Sequence, residues 1–220
     1  MTATTTTALT RENGTSIEGY LDYIKQRRSI RNLQHGDVSD ATIRHIVEAA
    51  RWSPSSFNSQ PVRLVVLKAR HEEFWDFAEA QLRAKLTGDQ LTRATSRLPG
   101  YRAGVFTILF FEDTTVAANP PMPGGEAVWK SFAVQAMGIA QVNVWNAVAA
   151  AGLATSNQHI NFQIGDDALR AFLGLPETWV SYSVFPVGYP NETPAESTRK
   201  PHEEVAYYEY GPEHHATAAK

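Results

Sequence analysis

The chain has 220 residues, of which 43% are hydrophobic, so it can bury one sizeable core and fold as a single domain. Its formal net charge of -3 argues against a general nucleic-acid or anionic-membrane surface, because such a surface would be basic. The absence of cysteine excludes disulfides, thiol nucleophiles and cysteine metal sites, and it fits a reducing cytoplasm.

The N-terminal stretch, residues 1–15, is rich in threonine and polar, and no apolar signal-peptide core follows Met1. We therefore expect a disordered tail over 1–15, a single domain over 16–205 and a C-terminal tail over 206–220. A cytoplasmic location follows as an expectation.

The first predicted helix begins after Ser16, a plausible N-cap, and its apolar residues have the spacing of one helical face. It ends at a basic cluster, Arg27-Arg28-Ser29-Ile30-Arg31. Guanidinium groups match phosphate oxygens two at a time, and a serine hydroxyl adds a further bond, so the cluster suits a phosphate monoester. The alternative is a solvated basic helix end, which the helix macrodipole also favours.

A second predicted helix begins after Ser39 and is closed by Pro54. The loop that follows, residues 54–61, carries small hydroxyl and amide side chains. These groups donate and accept hydrogen bonds, so the loop suits a heterocycle edge such as the pyrimidine ring of a flavin. The alternative is an ordinary turn rich in serine and asparagine.

The middle of the chain predicts a strand over 63–67 and an amphipathic helix over 71–86. The polar stretch 87–99 has little periodicity and is expected to be a lid or excursion. An apolar run over 105–111 suits a strand buried in the middle of a sheet. Residues 119–125 have the composition of a turn.

A long apolar helix is predicted in the first part of residues 131–165, a stretch without Asp, Glu, Lys or Arg. A helix that is apolar on nearly every side is either buried or spans a membrane. The apolar runs are interrupted, short of the roughly 20 residues that a span needs, by Gln135, Gln141, Asn143 and Asn146, so burial is expected. Such burial exceeds what one small domain supplies, and a homodimer interface explains it best.

The remaining predicted elements are a strand over 154–159, a helix over 166–173 and a strand over 180–187 that ends at Gly188. No Gly-x-Gly-x-x-Gly loop or regular βαβ rhythm is present, so a dinucleotide-binding doubly wound fold is not supported. The predicted class is α+β, or loosely α/β, with a mixed sheet. Neither a histidine metal site nor a Gly-x-Ser-x-Gly nucleophile turn is found in the sequence, so no metal is expected.

Taken in order, the basic cluster, the 54–61 loop and the strand after it resemble the opening of the flavin-dependent nitroreductase family. Later segments keep the order of that family, namely Tyr101-Arg102-Ala103-Gly104, residues 110–113, residues 154–161 and Pro176-Glu177-Thr178-Trp179. The resemblance covers roughly residues 20–205. Within that family, the sequence is similar to a subgroup of fungal and bacterial proteins described in connection with fatty-acid repression or copper induction. The resemblance implies a mixed central sheet flanked by helices, with the long helix at a homodimer interface.

The resemblance also implies FMN bound without a covalent bond, in sites built by both subunits of the dimer. The residues that match cofactor-binding segments are, for the phosphate, Arg27, Arg28, Ser29, Arg31, Arg199 and Lys200; for the polar loop that approaches the flavin, Ser55, Ser56, Asn58 and Gln60; and for the segment beside flavin N5, Gln158, His159 and Ile160. At N5, a backbone N–H is the expected contact.

Several further side chains have two interpretations each. His159 is either a core histidine or part of the substrate face. Arg97 and Arg102 both lie in the region from which the family places positive charge near flavin N1 and O2, or else they are surface arginines. Trp52, Phe57 and Trp129 either shape an acceptor pocket or belong to the core.

The activity implied is an FMN-dependent NAD(P)H oxidoreductase that reduces nitroaromatic, quinone-like or related small acceptors. Turnover would be ping-pong, with hydride passing through flavin N5 from NADH or NADPH, and no side chain acts as a nucleophile. The alternatives are a flavin- or ligand-binding regulatory protein with little turnover and a colourless anion-binding module. No nucleic-acid or membrane partner is expected.

Overall fold

The computed structural model of the protein describes residues 16–118 and 125–208. Its helices are α1 (Ile17–Gln26), α2 (Asp40–Arg51), α3 (His71–Lys85), α4 (Gly88–Thr95), α5 (Leu98–Arg102), α6 (Thr115–Ala118), α7 (Gly125–Ala150), α8 (Asn161–Ile164), α9 (Asp166–Leu173) and α10 (His202–Val205). Its strands are β1 (Leu33–Gln34), β2 (Val62–Leu67), β3 (Phe106–Asp113), β4 (Ala154–Thr155) and β5 (Trp179–Pro190). The tail predicted over 1–15, residues 119–124 of the turn predicted over 119–125, and residues 209–220 of the predicted C-terminal tail lie outside the described residues.

The sheet has the strand order β1-β5-β3-β2, with β4 also paired to β5. The prediction of a central buried strand is confirmed, because β3 lies between β5 and β2. The ladders described between these strands are antiparallel. Over residues 16–118 and 125–208, the parallel pairing found is an isolated bridge between Ser29 and Thr155, so the named strands form an antiparallel sheet and not the expected mixed one.

Helices pack on both faces of the sheet, and β3 contributes to both cores by alternation of its side chains. Phe106, Ile108 and Phe110 face one core, which includes residues of α2 and α7. Leu109 and Phe111 face the other core, which includes residues of α3, α5, α8 and α9. The apolar run of β3 is continuous because neither face of this strand meets water.

The long helix α7 begins at Gly125 and buries one face, on which lie Trp129, Ala133, Ala136, Met137, Ala140, Val144 and Val148. The single chain leaves part of the helix uncovered, since Val134 is 52% exposed and Val142 is 44% exposed, so burial of its remaining faces by a second copy of the chain stays a prediction. The apolar composition of the opposite face is therefore not explained by the core. None of the helices among the described residues is long and apolar enough to cross a membrane.

The stretch predicted as a polar excursion over 87–99 is largely helical. Leu91 and Ala94 of α4 and the buried Leu98 of α5 pack into the same core as α3. The prediction failed because few apolar residues, widely spaced, are enough to hold short helices that pack against a larger one. Pro99 lies in the first turn of α5, where its missing N–H costs nothing.

Two strands differ from their predicted bounds. The strand β3 is shifted, since it begins at Phe106 and continues beyond the apolar run to Asp113. The strand β4 ends at Thr155, after which the chain keeps only an isolated bridge from Gln158 to Val184. The close approach of the α5 end to β5 requires Gly104, since a Cβ there would lie 2.7 Å from the carbonyl oxygen of Val187.

Candidate functional site

The basic cluster lines a cleft of about 460 Å³ between the end of α1 and residues 192–199. The guanidinium of Arg27 lies 4.4 Å from the centre of the Trp145 ring, and its Nε is buried without a hydrogen-bond partner in the described chain. Burial lowers the pKa of Arg27, and the positive charges of Arg199 and Arg28 lower it further. Clustered guanidiniums and an unsatisfied donor form an environment that an anion would stabilise.

The C-terminal segment closes this cleft through contacts to the residues after α1. The backbone N–H of Asn191 donates to the Asn32 carbonyl at 2.9 Å, and the Arg31 N–H donates to Glu192 Oε1 at 2.6 Å. Arg28 Nη2 donates to the carbonyl of Ala195 at 2.5 Å. The segment is therefore held against the arginines by one hydrogen bond between backbone groups and two between a backbone group and a side chain.

The two predicted basic residues of the C-terminal segment behave differently. Arg199 lines the cleft with Arg27, Arg28, Ser29 and Arg31. Lys200 instead forms an ion pair with Glu204 at 3.1 Å, one turn along the chain, and both side chains are exposed. Arg199 is accordingly the better candidate for an anion contact.

The segment that follows β4 lies directly beside the basic cluster. The backbone N–H of Ile30 donates to the Thr155 carbonyl at 3.1 Å, and Ser29 is the bridge partner of Thr155. On the other side, Gln158 exchanges backbone hydrogen bonds of 2.9 and 2.8 Å with Val184 of β5. Two candidate segments that are far apart in sequence are thus joined by backbone hydrogen bonds.

Within this segment the three predicted residues point in different directions. The Gln158 carboxamide accepts a hydrogen bond from the Tyr101 hydroxyl at 2.7 Å and donates to Ser156 Oγ at 2.8 Å, so it is turned into the protein. Ile160 packs against the core beneath α3. His159 is exposed, and its ring stacks on Phe162 with 5.9 Å between centres. The core interpretation of His159 is therefore wrong.

The structure separates the two arginines considered near a flavin ring. Arg102 forms ion pairs with Asp76 at 2.7 Å and Glu79 at 3.0 Å, both on α3. Burial raises the pKa of the Tyr101 hydroxyl, and the positive charges of Arg97 and Arg31 partly oppose that rise. Backbone geometry also places both arginines beside Tyr101, because the Tyr101 N–H donates to the Arg97 carbonyl at 3.3 Å and a Cβ on Gly100 would lie 2.5 Å from the Arg31 carbonyl oxygen. Arg102 is instead held by its ion pairs to α3.

The polar loop over 54–61 is tightly constrained. Phe57, Asn58 and Gln60 have φ angles of 55°, 52° and 48°, a left-handed region that costs energy for residues other than glycine. The loop is closed by a 2.9 Å hydrogen bond from the Gln60 N–H to Ser55 Oγ. Arg63 donates to the carbonyl of Gln60 at 2.7 Å and anchors the loop to β2. Strain that is maintained by several hydrogen bonds in this way is typical of functional loops.

Within one chain this loop lies apart from the basic cleft. Ser55 and Gln60 line a different cavity of about 330 Å³, between α2, β2 and Ala136 of α7. Ser56 is half-buried and Asn58 is exposed. The single chain therefore does not bring the loop and the basic cluster to one site.

The three aromatic side chains considered for an acceptor pocket divide into two groups. Trp129 is 3% exposed and packs against Phe57 and Phe132, with 5.7 and 5.5 Å between ring centres, so it belongs to the core. Phe57 and Trp52 are exposed, and Trp52 Nε1 donates to Glu48 at 2.8 Å. Phe57 alone combines exposure with a place on the strained loop.

Sequence reasoning missed four residues that shape the site, namely Tyr101, Trp145, Ser156 and Glu192. Tyr101 had a signal, since it opens the Tyr-Arg-Ala-Gly motif, but its contact to Gln158 depends on the fold. Trp145 and Glu192 act through residues distant in sequence, and no local pattern identifies them. Over 16–118 and 125–208, no group of three or more His, Asp or Glu side chains could hold a metal ion.

Comparison with known proteins supports one family. The sequence profile of the Nitroreductase family matches residues 24–189. HBN1 of Saccharomyces cerevisiae, provisionally named a nitroreductase, is 30% identical over 192 residues, which cover 83% of this chain and 94% of HBN1. A Methanothermobacter thermautotrophicus protein, provisionally named NADH dehydrogenase/NAD(P)H nitroreductase, is 26% identical over 176 residues, covering 79% and 78%.

Solved structures of nitroreductases are also similar to this chain. The nitroreductase CinD of Lactococcus lactis, in complex with chloramphenicol, superposes with a TM-score of 0.76 at 30% identity, covering 86% of this chain and 98% of CinD. CinD has also been solved with 4-nitrophenol and with nicotinic acid. A Desulfovibrio desulfuricans protein solved in complex with FMN has a TM-score of 0.64 at 27% identity, covering 87% and 97%.

Proposed function

The chain belongs to the nitroreductase family, and from this premise we propose that it is an FMN-dependent NAD(P)H oxidoreductase that reduces nitroaromatic, quinone-like or related small acceptors. The observation that carries the proposal is the bridge between Ser29 and Thr155. It brings the proposed phosphate-binding cluster beside the segment proposed to face the reactive atom of the flavin. Neither segment alone would define a cofactor site.

The residues at the basic cleft suit the phosphate of FMN. Arg27 has a buried donor without a partner, and Arg28 and Arg199 add like charge around it. A dianion at this position would satisfy the donor and relieve the repulsion among the guanidiniums. Ser29 adds a hydroxyl that lines the same cleft. We assign the phosphate to these four residues, and Lys200 is left out because Glu204 pairs with it.

Arg31, which also lines the basic cleft, and Arg97 both lie beside Tyr101. When bound, FMN accepts hydride at N5 from NAD(P)H and passes electrons to a second substrate, so negative charge develops on its ring. Fixed positive charge near the ring favours that state at no cost in reorganisation. Arg31 and Arg97, both beside Tyr101, suit this role better than Arg102, which α3 holds.

The acceptor class is proposed from the relatives. CinD has been solved with chloramphenicol and with 4-nitrophenol, both of which carry a nitro group on an aromatic ring. In this chain the exposed, stacked rings of His159 and Phe162 adjoin the proposed N5 segment. An aromatic acceptor would find a flat apolar surface there.

We further propose that the domain, residues 16–205, forms a homodimer through the exposed faces of α7 and α1. None of the residues of α1 is buried in the single chain, although Ile17, Tyr20 and Leu21 are apolar. Val134 and Val142 are exposed on α7. A second copy would cover these faces, and it would also bring a strained 54–61 loop to the cleft that one chain leaves without it.

The first test is the absorbance spectrum of the purified protein before and after NADH or NADPH is added without oxygen. We expect an oxidised-flavin band that disappears on addition of the reductant and returns when a nitroaromatic or quinone acceptor follows. A yellow protein that neither nucleotide reduces would favour a flavin-binding regulatory role. A colourless protein that takes up no added FMN would contradict the proposed function.

The proposed dimer can be tested by substitutions that introduce charge on the exposed face of α7. We expect the double variant Val134→Glu/Val142→Glu to elute from a sizing column with light-scattering detection at half the mass of the wild type. Carboxylates would be buried without partners in the proposed interface, at a cost of several kcal/mol. The control is Ala80→Glu, which adds a carboxylate to an exposed position of α3. A wild type that is monomeric at micromolar concentration would rule the dimer out.

A further inference from the structure

The hydroxyl of Tyr101 is held at a fixed place by the core. Tyr101 is 1% exposed, and its ring packs on Trp75 with 5.2 Å between centres. Trp75 Nε1 donates to Thr107 Oγ1 of β3 at 3.0 Å. His71 bridges the same hydroxyl of Thr107 at 2.9 Å and the carbonyl of Arg102 at 3.1 Å. These contacts fix the end of α5, and with it the tyrosine ring, relative to the sheet.

The partner of this hydroxyl is the side chain of Gln158. Tyr101 donates to Gln158 Oε1 at 2.7 Å, and Gln158 Nε2 donates to Ser156 Oγ at 2.8 Å. The carboxamide therefore has one orientation, since its oxygen faces a donor and its nitrogen faces an acceptor. Regular strand pairing stops at Thr155, so these side-chain bonds supplement the single backbone bridge of Gln158 to β5.

We propose that Tyr101 is a positioning residue that acts through Gln158, fixing residues 156–160 relative to the guanidiniums of Arg31 and Arg97. The inference rests on the proposed function, in which those residues adjoin the reactive part of FMN. The hydroxyl of Tyr101 would then determine both the distance from residues 156–160 to the cofactor ring and the distance from that ring to the positive charges of Arg31 and Arg97. Tyr101 itself touches neither cofactor nor substrate.

The test is Tyr101→Phe, which keeps the ring against Trp75 and removes only the hydroxyl. We expect the rate of FMN reduction by NADH, measured in a stopped-flow instrument, to fall about tenfold, because small misplacements of reacting groups are costly. The dissociation constant of FMN, from quenching of its fluorescence, should rise about threefold to tenfold, since a tenfold change needs only about 1.4 kcal/mol. Unchanged values of both would overturn the inference.

A matched control separates positioning from stability. Tyr182→Phe removes another hydroxyl that is hydrogen-bonded inside the protein, in this case to Glu112 at 2.5 Å. Tyr182 lies on β5, where the ladder with β3 shifts register, and it does not line the basic cleft. We expect this variant to lower the urea midpoint while leaving the FMN dissociation constant and reduction rate within about twofold of the wild type. Equal losses of flavin binding in the two tyrosine variants would indicate a general structural effect and overturn the inference.

A double-mutant cycle tests the path through Gln158. Gln158→Met keeps the length of the side chain and removes both polar atoms. If Tyr101 acts through Gln158, the double variant should reduce FMN no more slowly than Gln158→Met alone. Additive losses would contradict that path. A wild-type protein that binds no FMN would overturn the proposed function and the inference together, whereas a normally reduced wild type beside an unaffected Tyr101→Phe overturns the inference alone.

Discussion

Arg27→Ala should weaken FMN binding by about 10- to 100-fold and leave riboflavin binding unchanged. A hydrogen bond to a charged group contributes about 1.5–3 kcal/mol, which corresponds to that range in the dissociation constant. Arg27 is the central residue of the proposed phosphate site, because its buried Nε has no other partner in the described chain and Arg28 and Arg199 are near it. Riboflavin has the same ring and lacks the phosphate, so the comparison isolates this contact.

The measurement is titration of the apoprotein with each flavin, followed by quenching of flavin fluorescence. Arg27→Lys should recover part of the preference for FMN, since it keeps the charge but loses the planar fork and the contact of the guanidinium with Trp145. Arg83→Ala is the control for loss of positive charge, because Arg83 pairs with Glu79 on the exposed face of α3. Equal loss of FMN and riboflavin affinity in Arg27→Ala would show that Arg27 does not bind the phosphate.

Phe185→Ala should lower the free energy of unfolding by about 3–5 kcal/mol, the usual cost of truncating a buried phenylalanine. Phe185 is fully buried, and its ring lies 4.7 Å from that of Phe110 and 5.5 Å from that of Trp145. It belongs to β5, the strand that pairs with β1, β3 and β4. A cavity there weakens the part of the sheet next to the basic cluster and the segment after β4. The expected loss is a large fraction of the free energy of unfolding of a typical domain.

Urea unfolding at a fixed protein concentration and without FMN measures this effect, since both ligand and oligomerisation shift the midpoint. The control is Phe162→Ala, which makes the same chemical change where the ring is 68% exposed. Its expected effect is within about 0.5 kcal/mol. Phe185→Leu should cost less than Phe185→Ala, because the larger side chain leaves a smaller cavity. Similar losses at positions 185 and 162 would contradict the assignment of Phe185 to the core.

Local sequence rules predicted several elements because the relevant contacts are local. Ser16 and Ser39 cap α1 and α2 through hydrogen bonds to Gly19 and Thr42, as their positions before an apolar period indicate. The apolar run of β3 identified the central strand because a strand covered on both faces has no polar alternation. The same rules missed α4, whose few apolar contacts are made to a larger helix rather than within its own sequence.

The candidate site was predicted only in part. The basic cluster and the segment after β4 were both found from residue type and order, yet their contact through Thr155 could not be read from either segment. Composition predicted that α7 is apolar on nearly every side, but composition records which faces are apolar and not what covers them, and the single chain covers one face. The exposed Val134 and Val142 now support a second copy of the chain as the cover.

The sequence by itself determined the helix that ends in the arginine cluster, the buried central strand and the polar loop between two prolines, because each depends on residues within a few positions of one another. Only the tertiary structure decided which side chains share a site. It brought Arg199 to the cleft and paired Lys200 with Glu204, and it held Arg102 on α3. It also turned Gln158 inward to Tyr101. These contacts join residues that are far apart in sequence, so they depend on how the whole chain folds. Geometry and competing partners then select one contact among several of similar chemistry.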